Sequence, residues 1–260
     1  MNLLFIGDVS GTPGRRVLAS QLPGLRDSLE LDLVVANCEN VADGLGVTAD
    51  TARELFSLGI DVLSNGNHAW DKKEALDYIQ REPRLLRPHN YPRGTPGSGW
   101  YLAQAGGERV GILNVLGTVF MQPTLGCPFR TADDVLAEKP DDVRVVLVDF
   151  HAEVTSEKTA FGWYLDGRVS AVVGTHTHIP TADERVLPGG TAYITDAGMT
   201  GCYDSVIGLG IENAVKRFVQ KLPAPWDAAE GKATLCGVVI DVDERTGKSR
   251  SIRRIALDES

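Results

Sequence analysis

The sequence has few of the features that mark disulfide-rich and membrane-spanning proteins. Its four cysteines, Cys38, Cys127, Cys202 and Cys236, are widely spaced and form no C-x-x-C pair, which argues against a zinc ribbon or a disulfide framework. We interpret them as buried free thiols in a reducing compartment. No apolar run is long enough to cross a membrane, and the apolar start at residues 2–6 is too short for a signal segment. The cytoplasm is therefore the expected location.

Positive charge is also scarce. The chain has 26 Lys and Arg residues against 35 Asp and Glu residues, which gives a formal net charge of -9. This balance argues against a stable complex with nucleic acid, although a cationic metal site could still bind a phosphate. The hydrophobic content of 43% is ordinary, and 260 residues suffice for one large α/β domain or two small ones.

The glycines near the amino terminus do not form a standard nucleotide-binding loop. Gly7, Gly11 and Gly14 follow the first predicted strand, but their spacing is not G-x-G-x-x-G and no G-K-[ST] is present. Asp8 would repel a phosphate unless a cation lay between them. The turn leads into a predicted helix for which Thr12 is a candidate cap.

Several apolar segments end in polar residues and lead into a helix. The predicted strands of this kind are residues 2–6, 31–36, 60–63 and 143–148. The predicted strand 171–173 also ends in polar residues, and a further short strand at 191–194 follows it. This βα rhythm is typical of a parallel sheet, in which ligands lie beyond the carboxyl ends of the strands. We therefore expect the polar residues that follow these strands to gather at one edge.

Two other regions show a ββ rhythm. Residues 100–104 with 109–116, and 233–242 with 249–257, are predicted to form hairpins. Two sheets packed face to face with helices outside accommodate both rhythms. Because the polar strand ends are spread along the chain, we expect a single domain over residues 1–260. Two stretches are predicted as loops: residues 117–130 and 198–210.

Four of the five histidines follow predicted strands. His176 and His178 come just after the apolar run that ends at Gly174. If this segment stays extended, the two rings point to opposite sides, whereas in a loop they can converge. Imidazole is the commonest protein metal ligand, so a pair beyond a strand favours a metal site, although one ring could simply pack. The fifth histidine, His89, lies in a Pro-rich loop and is expected to be solvated.

The polar residues at the strand ends supply nitrogen and oxygen donors but no thiolate. Such a set suits manganese, iron or zinc better than calcium or magnesium. It is too large for one tetrahedral ion and fits two ions roughly 3.5–4 Å apart, as used in phosphoester hydrolysis. Turn roles for the asparagines and a core role for His151 remain alternatives. The set is Asp8, Glu39, Asn40, Asn67, His68, His151, His176 and His178.

These residues, in this order, resemble the motifs of the calcineurin-like metallophosphoesterases. The Asn37-Cys38-Glu39-Asn40 segment, which replaces the usual Gly-Asp-x-x-Asp, and the stretch 196–201 resemble the bacterial YmdB-like branch. The resemblance implies a four-layer αββα sandwich of two mixed β-sheets flanked by helices. It also implies a dinuclear metal site and phosphodiesterase activity on small phosphodiesters, with 2',3'- or 3',5'-cyclic nucleotides as expected substrates.

The resemblance also leads to a hypothesis for each residue. Asp8, Glu39, Asn40 and His178 would hold a first ion, and Glu39, Asn67, His151 and His176 a second. Glu39 would bridge them. Iron or manganese is favoured, with zinc as an alternative. In this hypothesis a hydroxide held by the metals attacks phosphorus, and His68, which is not needed as a ligand, donates a proton to the leaving alkoxide.

Two departures from the family pattern leave alternatives open. The first motif is usually Asp-x-His, whereas here it is Asp8-Val9-Ser10, so one imidazole is missing. An acid often follows the histidine of the Gly-Asn-His motif; here Ala69 stands there, and Asp71 is a candidate to orient His68. A phosphomonoesterase or protein phosphatase, or a regulator that binds metal or nucleotide without turnover, remains an alternative. No membrane partner is expected, and homo-oligomerisation is left open.

Overall fold

The computed structural model describes residues 1–259 as two mixed sheets flanked by helices. The first sheet contains β1 (Asn2–Ile6), β2 (Asp8–Val9), β3 (Leu33–Asn37), β4 (Val62–Ser64), β11 (Met199–Cys202), β12 (Ala233–Asp243) and β13 (Lys248–Asp258). The second contains β5 (Trp100–Ala105), β6 (Glu108–Leu116), β7 (Val145–His151), β8 (Ala171–Thr175), β9 (Arg185–Val186) and β10 (Ala192–Ile194). The helices are α1 (Gly11–Ser28), α2 (Ala49–Ser57), α3 (Ala75–Tyr78), α4 (Pro128–Glu138), α5 (Thr155–Tyr164) and α6 (Ile211–Gln220).

Parallel pairing brings the carboxyl ends of the central strands to one edge of each sheet. The first sheet has the order β2-β11-β12-β1-β3-β4, with β13 paired to β12, and β1, β3 and β4 are mutually parallel. The second has the order β5-β6-β7-β8-β10-β9, and β6, β7, β8 and β10 run parallel. The hairpins β5–β6 and β12–β13 are antiparallel, as the ββ rhythm predicted.

The period-two alternation of β1 explains how the layers stack. Leu3 and Phe5 are buried between the two sheets, whereas Leu4 and Ile6 face the helices α1 and α2. The outer face of the second sheet packs against α4 and α5, and the buried Phe161 of α5 contacts Phe150 of β7 there. A strand buried on both faces has a continuous apolar sequence, which is the pattern of residues 2–6. The predicted four-layer αββα sandwich is therefore confirmed.

Several local predictions were wrong. The predicted loop 198–210 contains β11, which pairs with β12 and β2, because sheet pairing overrides the turn preference of its glycine. The predicted loop 117–130 ends early, since Pro128 occupies the first turn of α4. Ser10 rather than Thr12 is the residue before α1, and it makes no side-chain cap.

Two expectations about burial also need correction. Cys127 is exposed, whereas the other three thiols are buried as predicted. His89 is not fully solvated: its Nδ1 accepts a hydrogen bond from the Gly99 N–H at 3.3 Å, and burial lowers the pKa of its imidazole. Among residues 1–259, no helix is long and apolar enough to span a membrane.

Candidate metal centre

The candidate ligands meet where the carboxyl edges of the two sheets face each other. Asp8 lies just past β1 and Glu39 just past β3, whereas His151 ends β7 in the opposite sheet. Side chains from the two sheets contact each other here: His151 Nε2 lies 3.0 Å from Glu39 Oε1. Side chains that are more than 100 positions apart in the sequence therefore share one buried site.

Four of these residues form what we call the His151 half: Glu39, Asn67, His151 and His176. Three polar atoms approach His151 Nε2. They are Glu39 Oε1 at 3.0 Å, Asn67 Oδ1 at 3.1 Å and His176 Nδ1 at 3.0 Å. Donor atoms from Glu39, His151 and His176 all lie within 4.8 Å of one another, close enough to hold one metal ion.

The remaining three form the Asp8 half: Asp8, Asn40 and His178. Donor atoms of Asp8, Glu39 and His178 also lie within 4.8 Å of one another, so Glu39 belongs to both groups. Asp8 Oδ1 and Asn40 Oδ1 are buried and have no hydrogen-bond partner among the described residues. Leaving such an oxygen unpaired costs about 1–3 kcal/mol, and a bound cation would remove that penalty. The donor set therefore fits metal ions.

The loop after β8 determines how the two histidines converge. His176 has φ of 101° and His178 has φ of 65°, both in the left-handed backbone range that residues other than glycine rarely adopt. The chain thus leaves the extended conformation, and both rings reach the same cavity. Thr177 lies between them, and its N–H donates to Asp196 Oδ2 at 3.1 Å. Asp196 is in turn paired with the buried Lys158 at 2.6 Å, which anchors the loop.

Hydrogen bonds on the far side of the rings determine which nitrogen is free. His151 Nδ1 lies 2.9 Å from the Thr175 hydroxyl, which donates its own hydrogen to Asp149 Oδ1 at 2.6 Å. The hydroxyl must therefore accept from His151 Nδ1–H. His178 Nδ1 lies 2.8 Å from the Ile207 carbonyl oxygen, which can only accept. Both rings therefore direct Nε2 toward the site, as metal-binding histidines commonly do.

A third ring is held in the opposite sense. His176 Nε2 lies 3.1 Å from the half-exposed Glu153 carboxylate, so its Nδ1 faces His151 and the site.

The backbone at Gly66 passes close to the donor atoms. A side chain at this position would overlap His151 Nε2 and the Glu39 carboxylate. Only glycine allows the strand end to pass this near the donor atoms.

The electrostatics of the metal-free site reflect its concentration of buried charge. Burial raises the pKa of Asp8 to about 6. Burial also disfavours charge on Glu39 and His151, yet their mutual attraction lowers the pKa of Glu39 to about 2 and raises that of His151 to about 9. Burial and the neighbouring His151 lower the pKa of His176 to about 3. A proton held between Glu39 and His151 thus supplies the positive charge that a metal would replace.

His68 occupies a different place from the other histidines. It lies outside both groups of ligand atoms but lines the same cavity, which has a volume of about 170 Å³. Its Nδ1 is 2.7 Å from Asp71 Oδ2. Asp71, which the sequence suggested as an orienting acid, therefore contacts His68 through Nδ1 and leaves Nε2 available.

Sequence reasoning missed several residues that support the site. Asp149 is two positions before His151 on β7, so period-two alternation could have placed both on one face. Thr175 lies inside the Gly174–His178 motif without a role having been assigned to it. Asp149 also accepts hydrogen bonds from Asn37 at 3.0 Å and Ser64 at 2.5 Å. No side-chain signal could have revealed Ile207, because only its carbonyl contributes.

The fold and the position of this cluster define a class of two-sheet αββα proteins with a polar site where the sheets meet. A 5'-nucleotidase precursor from Thermus thermophilus shares the fold, with a TM-score of 0.55 and 14% identity over 99% of this chain and 54% of that chain.

More closely, the chain belongs to the YmdB-like protein family, whose model matches residues 4–255. It is 48% identical to a 2',3'-cyclic-nucleotide 2'-phosphodiesterase of Bacillus subtilis (strain 168), over 100% of this chain and 98% of that protein. The crystal structure of a hypothetical protein, also from Thermus thermophilus, superposes with a TM-score of 0.94 at 45% identity, over 100% of both chains.

Proposed function

We propose that this chain is a metal-dependent phosphodiesterase that hydrolyses cyclic nucleotides in the cavity between Glu39, His68 and His176. The observation that supports this most is the position of Glu39, which belongs to both groups of ligand atoms. A carboxylate has two oxygens and offsets the repulsion between two cations, so it suits a bridging role. Two ions in adjacent sites are the arrangement that phosphoester hydrolysis uses.

The residues of the two halves divide the ligands between the ions. The Asp8 half with Glu39 would hold one ion, and the His151 half the other. Nitrogen and oxygen donors without thiolate favour iron or manganese, with zinc as an alternative. When bound, the ions supply positive charge for the phosphate oxygens and lower the pKa of water.

The protein's own residues position the substrate and move the proton. His68 lines the cavity beside Glu39, and Asp71 holds its Nδ1, so Nε2 can donate a proton to the leaving ribose oxygen. The Glu39 carboxylate accepts the His68 backbone N–H at 3.2 Å, which fixes the distance between the donor and the ligand cluster.

The Bacillus subtilis relative supports 2',3'-cyclic nucleotides as the first substrates to test, with the 3',5'-cyclic isomers second. We further propose that residues 1–260 form one domain. Pairing of β1 with β12 supports this, because residues from both ends of the chain lie side by side in one sheet. A comparison of phosphodiester with phosphomonoester substrates separates the proposal from a phosphatase acting at the same site.

Replacing His68 by Gln tests the proton donor. For esters with an alkoxide leaving group, kcat should fall about 10²- to 10⁴-fold, because general acid catalysis is lost. Esters with p-nitrophenolate as leaving group need less protonation and should lose much less. Steady-state kinetics on both ester types, with metal analysis of each preparation, measures this. His89→Gln is the matched control, since His89 lies outside the cavity.

Two results would contradict this role. Loss of metal from His68→Gln would make His68 a ligand rather than a proton donor. An equal loss of activity on both ester types would show that His68 does not protonate the leaving group.

A further inference from the structure

The cavity beside the candidate ligands is lined by two chemically different sets of side chains. The first set presents carboxylate and imidazole groups, from Glu39, His68, His176 and His178. The second set is apolar and consists of Leu45, Ile207, Leu209 and Trp226. Because the proposed ions would make the first set attractive to an anion, a ligand that contacts both sets has an anionic group and a flat, weakly polar group.

Trp226 is the largest side chain of the apolar set and is 56% exposed, so packing in the core does not explain its position. It also lines an adjoining apolar cavity, together with Arg217 and Phe218. The Arg217 guanidinium lies 4.3 Å from the centroid of the indole ring. Arg217 does not line the cavity beside the candidate ligands. The indole therefore lines both cavities, together with Ile207 and Leu209, and a cation–π contact supports it from the adjoining one.

The turn at residues 206–209, which lies beside Trp226, contacts the candidate metal centre. Val206 and Leu209 exchange backbone hydrogen bonds at 2.9 and 3.0 Å around a tight turn with Ile207 and Gly208 at its tip. Ile207 has φ of 49°, which is strained for a β-branched residue. Such strain is concentrated at functional sites. The carbonyl of this same residue accepts the hydrogen bond from His178.

Two further hydrogen bonds attach the Trp226 segment to that turn. The Gly210 N–H donates to the Asp227 carbonyl at 3.0 Å, and the Ala229 N–H donates to the Gly208 carbonyl at 2.8 Å. Because Asp227 follows Trp226 directly, these bonds hold the backbone that carries the indole close to the turn that contacts His178. These hydrogen bonds thus connect the apolar residues that line the cavity with the ligand cluster.

We infer that Trp226 is the stacking platform for the nucleobase of the substrate, with Ile207 and Leu209 completing the base site. The inference rests on the proposed function, since it places the phosphate of the same ligand at Glu39, His176 and His178. Base–aromatic stacking tolerates any base, because every base has a π-face. Trp226 is therefore a specificity residue for nucleotides over phosphodiesters that lack a base.

The test compares two substrates in each variant: a nucleoside 2',3'-cyclic phosphate and a methyl riboside 2',3'-cyclic phosphate, which has no base. For Trp226→Ala the ratio of kcat/KM, nucleotide over riboside, should fall about 5- to 150-fold, which is the range for loss of one stacked base. Trp226→Phe should keep most of this ratio, because an aromatic face remains. If Trp226→Ala does not fold, Trp226→Leu takes its place.

Trp163→Ala is the matched control. Trp163 is 48% exposed and also has an arginine, Arg185, 5.6 Å from its ring centroid, but it lies on α5, outside the cavity. This variant should keep the wild-type ratio. An unchanged ratio in Trp226→Ala, or an equal fall in Trp163→Ala, would overturn the inference.

A binding measurement separates this inference from the proposed function. Adenosine 3'-monophosphate should quench the tryptophan fluorescence of the wild-type protein, and the quenching should be lost in Trp226→Phe. Quenching without hydrolysis of either substrate would retain the base site and reject the phosphodiesterase. Hydrolysis without quenching would retain the phosphodiesterase and reject the base site.

Discussion

The two halves of the candidate metal centre are built differently. In the His151 half the donor atoms already contact one another at 3.0–3.1 Å, and a buried network of Asp149, Thr175 and Asn37 supports them from the core. In the Asp8 half, two buried oxygens lack partners among the described residues. The histidine of that half is held by a loop carbonyl rather than by the core.

The difference shows two ways of preparing a cation site. The His151 half compensates its charge internally, because the proton between Glu39 and His151 balances the carboxylate. The Asp8 half leaves a carboxylate uncompensated, so burial raises the pKa of Asp8. We expect the first half to be rigid without metal and the second to gain more from a bound ion.

The largest effect is expected from the residue that the two halves share. Replacing Glu39 by Gln removes the bridging charge, so both ions should bind poorly. Activity should fall by roughly three orders of magnitude, since several kcal/mol of charge stabilisation is lost. Elemental analysis of metal per chain and steady-state kinetics measure this.

Glu39→Asp, which keeps a carboxylate, should retain part of the metal. If Glu39→Gln retained one ion per chain at full occupancy, the two halves would not share Glu39, and the comparison would fail.

Asp8→Asn should change the stability of the metal-free protein and that of the metal-loaded protein in opposite directions. The folded pKa of Asp8 is raised to about 6 from 3.8, so its favourable contribution exists below pH 3.8 and is lost as pH rises through 6. At pH 8 the metal-free variant should therefore be about 3 kcal/mol more stable to urea, with little gain at pH 4. The metal-loaded variant should instead be destabilised relative to the wild type, because one ion is lost.

Asp27→Asn, on the exposed surface of α1, is the control and should change little at either pH. A metal-free Asp8→Asn variant that is less stable at pH 8 would show that the Asp8 carboxylate is compensated without metal.

The smallest effect is expected from a substitution in the hydrogen-bond network that supports the His151 half. Thr175→Val removes the hydroxyl between His151 and Asp149 while keeping the shape of the side chain. The affinity for the ion of the His151 half should fall about 10- to 100-fold, as is typical when the partner of a ligating histidine is lost. Calorimetric metal titration measures each affinity.

Thr175→Ser retains the hydroxyl and should restore binding. Equal weakening of both ions in Thr175→Val would mean that the network supports the whole edge and that the two halves are not distinct.

Sequence reasoning located most of the strands along the chain, because residues such as Leu3 and Phe5 lie in the apolar runs expected of strands buried on both faces. It also named the polar residues at the strand ends, since parallel strands bring these together at one edge. It missed β11, whose Met199–Cys202 segment has no clear strand pattern and forms only by pairing with β12.

The amino-acid sequence by itself determined the two rhythms of the chain, the layered fold that follows from them and the inventory of carboxylates and imidazoles at the strand ends. These are local properties, because periodicity and the residue types at strand ends depend only on residues that are close in the sequence. Only the tertiary structure decided which imidazole nitrogen faces the site, that Asp71 contacts His68 through Nδ1, and that Trp226 lines the cavity. Those choices depend on contacts between residues far apart in the chain, including a backbone carbonyl whose position no side-chain pattern encodes.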